Sequence, residues 1–161
     1  MSYQSWHEYG RGIDFSQFEH DCEENGTPIT VEGIERLLIF APKTQESVHN
    51  FLALRKGAHE PGWSPTKEDY EEWDVDYGIG LAYLVAEAIK ESTGFEHVLA
   101  CTDFEGDHFL IFSVGYPWMM SEPERNITRD VWDKVLRMHL LLLNPDAPVI
   151  DIDDLSIENG G

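Results

Sequence analysis

Residues 97–114, HVLACTDFEGDHFLIFSV, decide the fold. Two runs, 97–103 and 107–114, are rich in aliphatic, β-branched and aromatic residues, and the short connector FEG between them contains a glycine. That pattern reads as an antiparallel hairpin, and the long apolar stretches imply a sheet covered by other elements. Upstream, Leu81, Leu84, Val85, Ala88 and Ile89 recur at helical spacing and end at Gly94, which makes this the central helix. Downstream, Thr128 can cap a helix from Arg129 to about Leu143 that buries Val131, Trp132, Val135, Leu136 and His139 or Leu142. Asn144-Pro145 ends it, and PVIDID (148–153) offers a last strand.

Working further out, Thr30 can open a helix through Ala41 that Pro42 stops, with Ile34, Leu37, Leu38 and Ala41 inward. A second helix runs from Thr44 to about Lys56, burying Val48, Phe51 and Leu52. Residues 59–65, HEPGWSP, form a loop. Thr66 with Asp69 resembles a capping box, opening a helix whose Tyr70, Trp73 and Tyr77 share one stripe until Gly78 and Gly80 break it. The first 29 residues read as irregular, with a short strand near Gly12–Phe15 and a turn at Gly26-Thr27-Pro28. Helices outnumber strands and the strand pair is a hairpin. The expected class is therefore α+β, several helices on a small antiparallel sheet, in a single acidic domain over residues 1–161.

The chain has 31 Asp+Glu against 11 Lys+Arg, a formal net charge of −20. The excess is not a tail, since residues 1–80 hold 16 acids and 6 bases and residues 81–161 hold 15 and 5. Direct recognition of DNA or RNA needs a basic surface and is not expected. Hydrophobic residues at 42% and aromatics at 12% are ample for a packed core, so an acidic disordered chain is also excluded. No apolar run approaches the length of a membrane span, and MSYQSWHEYGRG lacks the pattern of a secretory signal. Two cysteines, Cys22 and Cys101, give no disulfide framework, so a reducing cytoplasmic setting is expected.

Acids concentrate at Glu19, Asp21, Glu23 and Glu24, at Glu68, Asp69, Glu71, Glu72, Asp74 and Asp76, and at Asp151, Asp153 and Asp154. Reactive constellations are sparse. Gly10-Arg11-Gly12 and Gly78-Ile79-Gly80 lack the lysine and the strand–turn–helix context of a phosphate loop. His97, Cys101 and Asp103 share one strand and could be a metal or thiol site, but a packed cysteine between polar strand ends is the better reading. Asp103, Glu105 and Asp107 could pair as acid and base, yet a hairpin tip is too exposed to shift a carboxyl group. Asp151, Asp153, Asp154 and Glu158 miss the spacing of a calcium loop. Residues 6–10, WHEYG, could line a ligand pocket, or pack as an aromatic cover over the domain.

The segments SYQSWHEYGRGI, YGIGLAYLVAEAIKE, VLACTDFEGDHFLIF, GYPWMMSEPERNIT and IENGG carry a resemblance. They look like a group of small acidic proteins of bacterial and phage mobile elements, with an SWHxYG start and an ENGG end. That resemblance brings no catalytic residues with it. In size and charge alone the chain is also similar to inhibitors that imitate DNA and block restriction or CRISPR nucleases. The scale agrees: twenty phosphate charges span about 34 Å of duplex, and a compact chain of this length is roughly 40 Å across.

The expected function is therefore a non-enzymatic acidic binding or inhibitor protein. Its partner would be the basic surface of a DNA- or RNA-binding protein such as a nuclease, with Glu68, Asp69, Glu71, Glu72, Asp74 and Asp76 as the contact residues. No catalytic residue, cofactor, metal or membrane contact is expected. One alternative is a structural or regulatory module of a mobile element, acidic only for solubility. A third reading is a small hydrolase using Cys101 or the 103–107 carboxylates.

Overall fold

The computed structural model describes residues 5–56, 62–73, 80–113 and 122–160. The first described element is a ten-residue strand, β1 (Ser5–Asp14), which passes directly into helix α1 (Phe15–Glu24). Asp14 makes the junction by accepting the Gln17 amide at 3.0 Å, so its side chain caps the helix. The short strand expected near Gly12–Phe15 is the end of β1; the rest of β1 and all of α1 correct the expectation of irregular structure here. Gly10 and Gly12 and the polar residues around them hide the strand, yet the glycines are what the strand requires. A β-carbon on Gly12 would overlap the carbonyl oxygen of Leu110, and one on Gly10 would press on that of Phe112.

Helix α2 (Val31–Leu38) starts at the Thr30 cap, as expected, and ends three residues before Ala41. Helix α3 (Pro42–Lys56) starts earlier than expected because Pro42 occupies its first turn, where no amide proton is needed. The next amides, Lys43 and Thr44, donate to the Glu91 carboxylate at 2.9 and 2.6 Å. Phe51, expected to be buried, is 38% exposed. Helix α4 (Lys67–Glu71) has the expected capping box but only five residues, so the helix expected to reach Tyr77 stops at Glu71. Tyr77 and Gly78 lie outside the described residues.

Helix α5 (Leu81–Thr93) is the central apolar helix, ended by Gly94 in the left-handed conformation. Strands β2 (Val98–Thr102) and β3 (His108–Ser113) form the expected hairpin. A short helix α6 (Glu122–Arg125) precedes α7 (Arg129–Leu143), which is capped by Thr128. Val131, expected inside, faces out, while Trp132, Leu136, His139, Leu140 and Leu143 are buried. The last strand, β4 (Asp153–Gly160), begins where the expected one ended. The strand order is β2–β3–β1–β4, antiparallel throughout, and the class is α+β.

The helices cover one face of the sheet. Ile13, Val98, Ala100 and Leu110 point into the core with Leu84, Val85, Ile89, Trp132 and Leu136. Alternation sends Ile111 to the other face, where it and Ile157 are buried apart from that core. There the sheet curls toward closure. The Phe104 amide, at the β2–β3 turn, donates to the Glu158 carbonyl of β4 at 3.1 Å, although β2 and β4 are opposite edges. Arg11 ties β1 to the helical layer through a paired contact with Asp133 (2.8 and 2.9 Å), and its carbonyl accepts the Trp132 indole at 2.7 Å. Among the described residues no helix is long and apolar enough to cross a membrane.

Candidate interaction surface

The acid-rich segment at 66–73 is held by its apolar and polar inner residues. Tyr70 is fully buried, and its hydroxyl and the His49 Nε2 are 2.9 Å apart, which fastens α4 to α3. Trp73 packs against Tyr83 of α5, the rings tilted with centroids 5.1 Å apart. At the start of the helix, the Thr66 amide donates to the Asp69 carboxylate (2.9 Å) and the Asp69 amide to the Thr66 hydroxyl (3.2 Å). Asp69 is therefore 9% exposed and engaged in the cap, so it does not present a charge to a partner. Glu68, Glu71 and Glu72 face outward at positions i, i+3 and i+4. Asp74 and Asp76 lie outside the described residues.

The first acid-rich segment comes to the same place. Helix α1 buries Phe15, Phe18 and Cys22, which leaves Glu19 at the border of that buried face, one turn from Phe15. Burial, then the charge of Glu71, pushes the Glu19 carboxyl up to about 7; Lys67 draws it back in part and Glu23 adds to the rise. Lys67 itself lies 3.9 Å from Glu71. Among the described residues Glu19 has no hydrogen-bond or ion-pair partner. Glu19, Glu71, Gly80, Leu81 and His108 line a cleft of about 320 Å³ between α1, α4 and β3. The sequence marks Glu19 only as one of the 19–24 acids, not as a cleft residue, and does not mark His108. For Glu19 a signal exists in its spacing from Phe15; for His108 there is none.

The third acid-rich segment is partly neutralised. Asp154 meets Arg129 at 2.7 Å and Arg11 at 3.4 Å, and Asp153–Gly160 is extended strand rather than a calcium loop.

The residues considered for chemistry are occupied otherwise. His97 Nδ1 and Glu124 Oε2 are 2.5 Å apart, and Glu124 also accepts the amides of His97 (3.0 Å) and Glu96. These contacts hold the Glu124 carboxyl below the usual carboxylate range against the opposing effect of burial. Cys101 is half-buried, and burial with the nearby charges of Glu8 and Asp103 pushes its thiol up to about 11, the opposite of nucleophile activation. Asp103 accepts the amides of Glu105 and Asp107 at 3.0 and 2.9 Å, as a turn residue does. The Asp103, Glu105 and Asp107 carboxylates stand close together, with Glu105 exposed. One Ser–His pair went unnoticed in the sequence. Buried His139 donates from Nδ1 to the Val135 carbonyl (2.7 Å) and accepts the Ser92 hydroxyl at Nε2 (2.6 Å). Burial holds this imidazole neutral, but Ser92 sits in the last turn of α5, whose negative end disfavours a developing oxyanion.

The side chains of Trp6 and His7 lie outside the described residues, so the expected pocket or aromatic cover at residues 6–10 does too; Tyr9 is 57% exposed. No protein-family model, curated protein or solved structure matched the chain, so the reading of this surface rests on its own geometry.

Proposed function

We propose that the protein is a non-enzymatic binding protein of cytoplasmic setting whose acidic face engages the basic, nucleic-acid-binding groove of a partner such as a nuclease. One observation carries this reading: two acid-rich segments, separated by more than forty residues, converge at Glu19 and Glu71. Like charges brought together and partly desolvated raise the free energy of the isolated protein, and a cationic partner relieves that strain. Glu23, Glu68 and Glu72 extend the negative surface on either side. Tyr70 and Trp73 hold these carboxylates on the body of the protein, so less ordering is needed on binding than for an acidic tail. The alternative of charge serving solubility alone predicts no competition with nucleic acid.

Displacement of a fluorescent duplex from restriction and CRISPR nucleases tests the proposal. The protein should displace the duplex at about 50 mM salt and lose most of that ability at about 200 mM. Replacing Glu68, Glu71 and Glu72 by lysine should weaken displacement, mainly through slower association. Failure to displace from any nuclease, or displacement indifferent to salt and to these changes, overturns it.

A further inference from the structure

The acids of α1 and α4 meet across a cleft rather than across packed apolar surface, and a seam of that kind can adjust. Three titratable groups from three elements line the cleft: Glu19 of α1, Glu71 of α4 and His108 of β3. Glu23, one turn along α1, and Lys67, one turn back along α4, complete the charged groups that act on Glu19. Helix α4 has five residues, too few to persist without its cap and its aromatic anchors. Any force between Glu19 and Glu71 therefore acts on the least self-sufficient helix at this surface.

We propose that the α1–α4 seam is a pH-operated switch in the acidic face, closed while Glu19 holds a proton and loosened by Glu19–Glu71 repulsion once that proton is lost. The switch regulates the face described above and rests on that reading for its role, though not for its operation. Glu19 changes charge near neutrality, at about 7. The protonated form leaves Glu71 with one like charge fewer, and Lys67 then balances it. The ionised form places two negative charges at one cleft, and the outward, exposed member of the pair is the one free to move. The same event adds a charge to the face, so a cationic partner favours the ionised form of Glu19 and binds with release of a proton.

The free protein, labelled with ¹³C at glutamate, provides the test. Carboxyl shifts followed from pH 5 to 9 should show Glu19 titrating within about one unit of 7. Amide exchange, corrected for its intrinsic pH dependence, should show protection at Tyr70 and Glu72 falling several-fold through the same midpoint; both amides donate within α4 and its caps. Glu71→Gln should lower the midpoint and flatten the exchange profile, and Glu19→Gln should keep α4 protected at every pH. Titration of Glu19 together with the other glutamates overturns the proposal, as does equal protection of α4 in wild type and Glu19→Gln at pH 8. No partner enters this experiment, so its failure removes the switch alone, while failure of duplex displacement removes the binding reading alone.

Discussion

A carboxyl group that keeps its proton to about pH 7 in the folded chain, against 4.5 ordinarily, makes folding less favourable once it ionises. Below about pH 4.5 Glu19 is neutral in both states and contributes no penalty. Between 4.5 and 7 the unfolded chain releases its proton first, so stability falls as pH rises, and the full penalty remains above 7. Glu19→Gln should therefore stabilise the protein at pH 8 by on the order of 1–3 kcal/mol, and the gain should vanish toward pH 4. Urea unfolding of both proteins at the two pH values checks this; equal stability at pH 8 contradicts it. Cys101 shows the same physics in a thiol. With its pKa pushed up to about 11, thiolate at pH 8 is scarce. Alkylation by iodoacetamide should run about a hundredfold slower than for a free cysteine. A rate at or above that of glutathione would restore the thiol to consideration as a reactive group.

At the scale of elements, sequence pattern was sufficient wherever one segment explained itself. Thr30, Thr66 and Thr128 each accept a backbone amide where their spacing ahead of a helix implied, and the 97–114 stretch is the hairpin it resembles. Only the end of strand β1, near Gly12, was legible, because Gly10 and Gly12 serve the distant backbone of Phe112 and Leu110, and local pattern carries no sign of that. The start of α3 was illegible for a similar reason, since the carboxylate that satisfies its first amides comes from Glu91 on α5. Two elements yield tests. Gly12→Ala drives a methyl group into the Leu110 carbonyl and should destabilise by more than about 2 kcal/mol, read from the urea midpoint. A neutral result would mean that β1 does not cross β3 so closely. Glu124 joins α6 to the entry of β2, and its carboxyl is held below the ordinary range. That stabilisation is present above the ordinary glutamate pKa and is lost as pH falls through the depressed one. Glu124→Gln should consequently cost about 1–3 kcal/mol at pH 7, and the difference should close in acid. A difference that stays constant down to pH 3 would assign the loss to packing instead.

Across the whole molecule, the approach of Glu19 and Glu71 across one cleft could not be read from sequence, because it is long-range and opposes electrostatic preference. Sequence offers patterns for attraction, such as stripes and caps, and none for a repulsive approach between helices that Phe18, Tyr70 and Trp73 each pack into place from their own side. The net charge of −20 nevertheless sets a global expectation that needs no partner. Cations are too few to neutralise the acids, and Arg11, Lys67, Lys90 and Arg129 are already committed to ion pairs. Self-repulsion is therefore larger in the compact state than in the expanded chain, and added salt screens it. The Debye length falls from roughly 30 Å at 0.01 M to about 8 Å at 0.15 M, which removes most repulsion between carboxylates on separate elements. Short paired contacts such as Arg11–Asp133 are screened much less, being partly buried. The sum is a protein that becomes more stable as sodium chloride rises from 0.01 to about 0.3 M, by on the order of 1–2 kcal/mol at pH 8. The gain should be smaller at pH 5, where Glu19 is protonated, and smaller again in a Glu68/Glu71/Glu72→Lys variant. Thermal melts across that salt series decide the matter. Stability that is flat or falling with salt would mean the negative charges are spaced widely enough not to oppose folding, and the convergence at Glu19 and Glu71 would then lose its energetic meaning.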